Sequence, residues 1–160
     1  MHVLSICKAR RTPPPHSKGF TLLEAMVVVA LLALLSTIAV PSFQTMIANN
    51  RVSSSASELQ VLLLFARSEA VYKRTATSVE IASSTWNVKS GSNLLRTTNV
   101  SDAVSVSVSP NEDIGFAVSG NASNDFSIAV SNSGASRTEC IRISKAGLVQ
   151  QQRKAAGQAC

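Results

Sequence analysis

One carboxylate in this sequence stands where its charge needs an explanation. Glu24 lies inside the run from Phe20 to Val40, in which 17 of 21 residues are apolar. A charged side chain at the centre of a membrane helix costs about 2.5–3.5 kcal/mol on insertion scales, less near an end, and by default marks function. In a low-dielectric setting such a carboxylate is driven to find a positive partner. Other chemistry is thinly provided. The two histidines, His2 and His16, both lie ahead of the apolar run, and the cysteines are Cys7, Cys140 and Cys160. No P-loop or dinucleotide-binding glycine pattern occurs. Asn111-Glu112-Asp113 has the composition of a calcium loop, but a turn at a strand end explains it better.

The element that positions Glu24 is the apolar run itself. Twenty-one residues at about 1.5 Å each cover the ~30 Å of a bilayer core. Lys8, Arg10, Arg11 and Lys18 precede it, and the next basic residue is Arg51. That bias keeps the N-terminus cytoplasmic and the remainder outside. A secretory signal peptide would have an apolar region of about 7–15 residues and a small-residue cleavage site, for which Thr37-Ile38-Ala39 is a loose match. A plain signal anchor fits the length and leaves Glu24 unexplained. Glu24 snorkelling to the headgroups is the simplest structural account. Arg10-Arg11 suggests twin-arginine export, but Pro13, Pro14 and Pro15 follow and the downstream stretch does not suit it.

Gly-Phe-Thr-Leu-Leu-Glu after a short basic leader resembles the processing site of type IV prepilins and type II secretion pseudopilins. The resemblance implies that a prepilin peptidase cuts between Gly19 and Phe20 and that Phe20 is then N-methylated. Gly19 suits a protease that must approach the backbone closely. Glu24 then falls at the fifth mature position and Pro41 at the twenty-second, where many members also carry proline. The resemblance further implies that Glu24 pairs with the Phe20 amine of a neighbouring subunit and so sets the register of assembly. Loss of the leader removes four of the fifteen basic residues and none of the nine acids, leaving eleven against nine, or about +2. The basic charge of the whole chain is therefore weak evidence for nucleic acid. Loss of the leader also removes both histidines and Cys7. No His-based triad or metal site then remains, so the chain is expected to be neither an enzyme nor a cofactor carrier. Cys140 and Cys160 are left as a pair for a disulfide outside the cytoplasm.

After Pro41 the apolar residues Val52, Ala56, Leu59, Leu63, Ala66 and Ala70 recur at helical spacing, with Leu62 and Phe65 beside them. Pro41 removes a backbone hydrogen bond and is expected to bend the helix, which runs from about Phe20 to Lys73. The striped face should cover a sheet. From Thr77 the period becomes two. Val79 and Ile81, Trp86 and Val88, Val104 to Val108, Ile114 to Val118, Phe126 to Val130, and Ile141 with Ile143 read as short strands separated by turn residues. The expected class is α+β: a long kinked N-terminal helix, its first half transmembrane, packed on an antiparallel sheet or a two-sheet C-terminal domain. The divisions are a cleaved leader (1–19), a membrane and assembly helix (20–41), an amphipathic half (42–75) and a periplasmic β-rich domain (76–160).

The stretch from Cys140 to Val149 looks like the closing strand pair of the minor pilins and pseudopilins called FimT, FimU and GspH. That resemblance implies a subunit at or near a filament tip, priming or capping assembly in the inner membrane, with other pilin or pseudopilin subunits as partners. Some FimT-like members bind DNA through a Gly-Arg-x-Arg motif. Here Gly147 is followed by Leu148, Val149 and Gln150, so both arginines are missing. Arg142, Lys145, Arg153 and Lys154 still form a modest basic cluster that could meet phosphates, or a solvated surface. The alternatives to a filament subunit are thus a DNA-contacting minor pilin and a generic single-pass periplasmic protein.

Overall fold

The computed structural model describes residues 19–82 and 84–160. Residues 1–18, which hold all of the expected leader (1–19) but Gly19, with its four basic residues, both histidines and Cys7, lie outside the described residues. One helix, α1 (Leu22–Lys73), is followed by eight strands. These are β1 (Thr77–Ile81), β2 (Thr85–Ser90), β3 (Asn93–Asn99), β4 (Ser105–Ser109), β5 (Ile114–Phe116), β6 (Phe126–Ser131), β7 (Arg137–Ile143) and β8 (Val149–Ala155). Contacts divide the chain into two units, Met1–Ile38 and Ala39–Cys160.

In the first unit every residue from 22 to 38 is exposed. The two hydroxyls inside this apolar stretch are satisfied locally. Ser36 Oγ donates to the Leu32 carbonyl and Thr37 Oγ1 to the Leu34 carbonyl, each at 2.7 Å. Such back-bonding removes the cost of bringing a polar side chain into lipid. The helix is long and apolar enough to cross a membrane. It also continues through Pro41 without interruption.

In the second unit α1 buries one stripe. Val52, Ala56, Leu59, Leu63, Ala66 and Ala70 are all sealed from solvent, as is Leu62, and Phe65 packs at the margin. All eight were expected on this face from their spacing. The helix stops where Arg74 takes a left-handed conformation (φ 52°), and the Thr75 N–H reaches back to the Ala70 carbonyl at 3.3 Å. This closes an open carbonyl of the last turn in the manner usually served by glycine.

The strands form two four-stranded antiparallel sheets, ordered β3-β2-β1-β5 and β4-β6-β7-β8. Of the two arrangements left open by alternation, the two-sheet one is found. Val79, Trp86, Val88, Ile114 and Phe116 from the first sheet and Phe126, Ile128, Val130, Ile141 and Ile143 from the second enter one core with the helical stripe. Three strand readings need correction. The expected strand from Ile114 to Val118 ends at Phe116, because Ala117 to Asn121 close a turn with Gly120 at φ +80° and leave Val118 half exposed. β3 was not anticipated: five of its seven residues are exposed, so it shows no alternation. The closing strand pair expected within Cys140 to Val149 instead spans Arg137–Ile143 and Val149–Ala155, because the polar run of β8 has no period of two in hydrophobicity to mark it.

A disulfide joins Cys140 on β7 to Cys160, closing a sequence separation of 20 residues with Cα atoms 5.5 Å apart. Two stability measurements check this packing, using denaturation of the full chain followed by the fluorescence of buried Trp86. Leu63→Ala, at a sealed position, should cost about 2–5 kcal/mol, whereas Val61→Ala, on the exposed side of the same turn, should stay within about 0.5 kcal/mol. Cys160→Ser should cost about 3 kcal/mol through the loop entropy returned to the unfolded chain.

Candidate functional site

Two sets of residues have chemistry beyond packing: the start of α1 and the β7–β8 pair. At the first, Gly19, Phe20 and Thr21 are exposed and precede the helix. Thr21 is its N-cap. Its Oγ1 accepts the Glu24 N–H at 3.2 Å, while its carbonyl accepts the Ala25 N–H at 3.2 Å. Thr21-Leu22-Leu23-Glu24 is thus a Ser/Thr-x-x-Glu start signal, which directs both residues to the first turn. The spacing was present in the sequence and marks Thr21 as a second polar residue with a defined task. Glu24 sits where the positive end of the helix dipole favours a carboxylate. Among the described residues it makes no ion pair. The surface following it, from Met26 to Val40, is exposed and apolar apart from the locally bonded hydroxyls of Ser36 and Thr37. A helix that is hydrophobic all round is stable only when buried in lipid or against other helices.

At β7–β8 the sheet register separates the four basic residues singled out above. Ile141 and Ile143 point to the core, so Arg142 between them points away. Thr138 pairs with Lys154 on that outer side, and Glu139 pairs with Arg153 on the inner side. Each then meets a different partner. Arg142 Nη2 donates to the Cys160 carbonyl and Lys154 Nζ to the Ala159 carbonyl, so both hold the C-terminal tail against the sheet. Lys145 lies in the β7–β8 turn, where its backbone N–H donates to Asp125 Oδ1 at 2.7 Å. Arg153 Nε donates to Glu139 Oε1 at 2.9 Å. The four cations therefore do not share one face.

Glu139 is the residue that sequence reading missed here. Its side chain is only 2 % exposed. Besides Arg153 it accepts from Gln151 Nε2 at 3.1 Å, and Arg137 Nε stands 3.7 Å away as an ion-pair partner. Arg137 Nη2 in turn donates to the Asn49 carbonyl on α1, and Asn49 Oδ1 accepts the Ser136 N–H. A buried carboxylate is tolerable only with partners of this kind. Counting back by twos from Ile143 and Ile141 places Glu139 on the core face, a signal that could have flagged it. Its partners on β8 and α1 were not readable from that count.

The family model described as type II transport protein GspH matches residues 55–147. That described as prokaryotic N-terminal methylation motif matches residues 14–40. A fimbrial protein of Pseudomonas aeruginosa is 43% identical over 51 residues, covering 32% of this chain and 33% of its own. The type IV major fimbrial protein FimA of Dichelobacter nodosus is 51% identical over 41 residues, covering 26% of each chain. The match to these curated relatives thus spans a third of their length or less. The crystal structure of the Pseudomonas aeruginosa type IV minor pilin FimU superposes with a TM-score of 0.60 at 25% identity, covering 68% of this chain and 94% of that one. The minor pseudopilin EpsH from the type 2 secretion system of Vibrio cholerae shares the fold, with a TM-score of 0.53 at 13% identity, covering 68% of this chain and 99% of that one.

The unequal engagement of neighbouring cations on β8 has a measurable consequence. Arg153→Ala strips the closest cation from a buried carboxylate and should destabilise the chain by about 1–3 kcal/mol in denaturant titration. Lys154→Ala, one residue along and bound only to a tail carbonyl, should change stability by less than about 0.5 kcal/mol. Equal effects would contradict the inner and outer placement described above.

Proposed function

The chain belongs to the family described as type II transport protein GspH, which comprises minor pilins and pseudopilins, and on that basis we propose that it is made as a precursor and built into a type IV pilus or type II secretion pseudopilus. The basic leader stays in the cytoplasm while the segment from Phe20 to Pro41 crosses the inner membrane. Prepilin peptidase cuts between Gly19 and Phe20, and Phe20 is N-methylated. The β domain is held in the periplasm. Other pilin or pseudopilin subunits then take up the helix, and this subunit primes or caps the filament.

The observation that carries this reading is Glu24. It is an exposed carboxylate without an ion-pair partner among the described residues, set at the head of a predominantly apolar helical segment within the stretch matching the methylation motif. Cleavage at Gly19 creates a cation four residues before Glu24, on Phe20. A neighbour's amine can neutralise Glu24 inside lipid, where an unpaired charge is costly. Pairing between chains also fixes axial register, because a shift of one helical turn, about 5.4 Å, would strand both charges. Members of this family are structural subunits. The DNA-contacting alternative through Arg142, Lys145, Arg153 and Lys154 draws little support from the geometry, since three of those side chains are occupied within the fold.

Two measurements test the proposal. Mass spectrometry of the protein from native membranes should give a chain beginning at N-methylated Phe20, and an intact Met1 terminus would exclude processing. Glu24→Ala should insert in the membrane at normal levels and lose at least about tenfold of its incorporation into filaments, the rough equivalent of 1.4 kcal/mol per subunit contact. Incorporation equal to the unmodified protein would mean that Glu24 has no assembly role.

A further inference from the structure

A channel runs along the second unit between α1 and the edge of the first sheet. It consists of two adjoining cavities of about 460 and 420 Å³ that share Glu58 and Asn99. Its helical wall is a stripe from Ile47 through Arg51, Ser54 and Glu58 to Val61. Its other wall is Arg96, Thr97, Thr98 and Asn99, continuing to Ser101. A sheet face would contribute alternate residues; consecutive ones mean that the channel meets β3 edge-on. β3 is the terminal strand of its sheet and pairs only with β2. Among the described residues, no other backbone group bonds to its free side. A row of open N–H and C=O groups beside a helix is the setting in which extended peptides add to a sheet.

The channel is also shaped and charged for one kind of occupant. Serines at 53, 54 and 57 give the helix small side chains, leaving room for a backbone to approach. The stretch from Ile47 to Val61 is about 21 Å at 1.5 Å per residue, the length of about six strand residues. Arg51 lies toward the Ser101 end and Glu58 toward the middle, both exposed and neither ion-paired among the described residues. We infer that this channel docks an extended segment of a partner protein, which adds to β3 as a fifth, antiparallel strand and sets an acidic side chain against Arg51 and a basic one against Glu58. Because β3 runs opposite to α1 along the channel, an antiparallel strand runs with the helix, so the acidic residue precedes the basic one. This surface lies wholly within Ala39–Cys160 and does not depend on assembly through Glu24.

The test uses the full chain, isotope-labelled in detergent micelles, and the capped peptide Thr-Val-Asp-Val-Lys-Val-Thr. Its acidic and basic residues lie on one side of the strand. Titration should shift the β3 amide resonances saturably and slow their hydrogen exchange. The peptide with Lys and Asp exchanged should bind about tenfold more weakly, as should one with proline in place of the central valine, which cannot complete the ladder. The double variant Arg51→Glu with Glu58→Arg alters only exposed side chains. It should keep the spectrum of the folded chain and reverse the preference between the two charged orders. Absence of saturable binding, equal binding of the proline peptide, or binding that leaves β3 unchanged would each overturn the inference. Loss of filament assembly in Glu24→Ala would leave these results unaffected, so the two readings fail separately.

Discussion

The burial of one helical stripe is the constraint on which the rest of the second unit depends. Val52, Ala56, Leu59, Leu63, Ala66 and Ala70 are sealed at a spacing that allows no bulky polar residue among them. Three of the six are alanines, which bring the helix backbone close to the sheets and leave the larger volume to Trp86, Phe116 and the isoleucines opposite. Two short, twisted sheets expose too little apolar surface to be stable alone, and sharing one helix gives both a common core. The same helix in the first unit has no such face. Its composition is apolar all round, which suits lipid or other helices and not a sheet.

Polar interactions in the second unit fix position more than they add stability. Glu139 with Arg153, Gln151 and Arg137 is a buried network whose desolvation offsets much of its attraction. Its effect is geometric, since only one register of β8 on β7 brings Arg153 and Gln151 to the carboxylate. Arg137 carries that register to Asn49 on α1. Arg142, Lys154 and the Cys140–Cys160 disulfide then hold the tail on the opposite side. Basic residues that look like a nucleic-acid patch in one dimension are therefore divided between two structural duties. The near balance of eleven basic and nine acidic residues from Phe20 onward agrees with that division.

A filament subunit of this kind needs two surfaces with different chemistry. In the proposed assembly the helix surface would recognise neighbours by hydrophobicity and a single charge, which suits repeated stacking of similar helices. The β domain must distinguish one neighbour from another, and backbone pairing combined with placed charges supplies that discrimination. Edge strands are usually guarded against promiscuous pairing. β3 has a single charged side chain, Arg96, and its guanidinium is drawn 5.4 Å over the Phe65 ring. The edge is thus left open beside a charged channel.

Residue order alone was enough to determine the helix, its change from all-round to one-sided apolarity, and the anomaly of Glu24. These are local properties: periodicity of 3.6, run length and a charge where none is expected. The strands with alternating apolar residues were legible for the same reason, since one side of each faces the core. β3 and β8 were not, because most of their residues are exposed and hydrogen bonds to a neighbouring strand, with no alternating apolar face, hold them in place. The choice of two sheets over one, the partners of Glu139, the separation of Arg153 from Arg142 and Lys154, and the channel beside β3 were decided by tertiary structure. Each depends on which strand lies next to which, a matter of register between residues distant in sequence that no local period encodes.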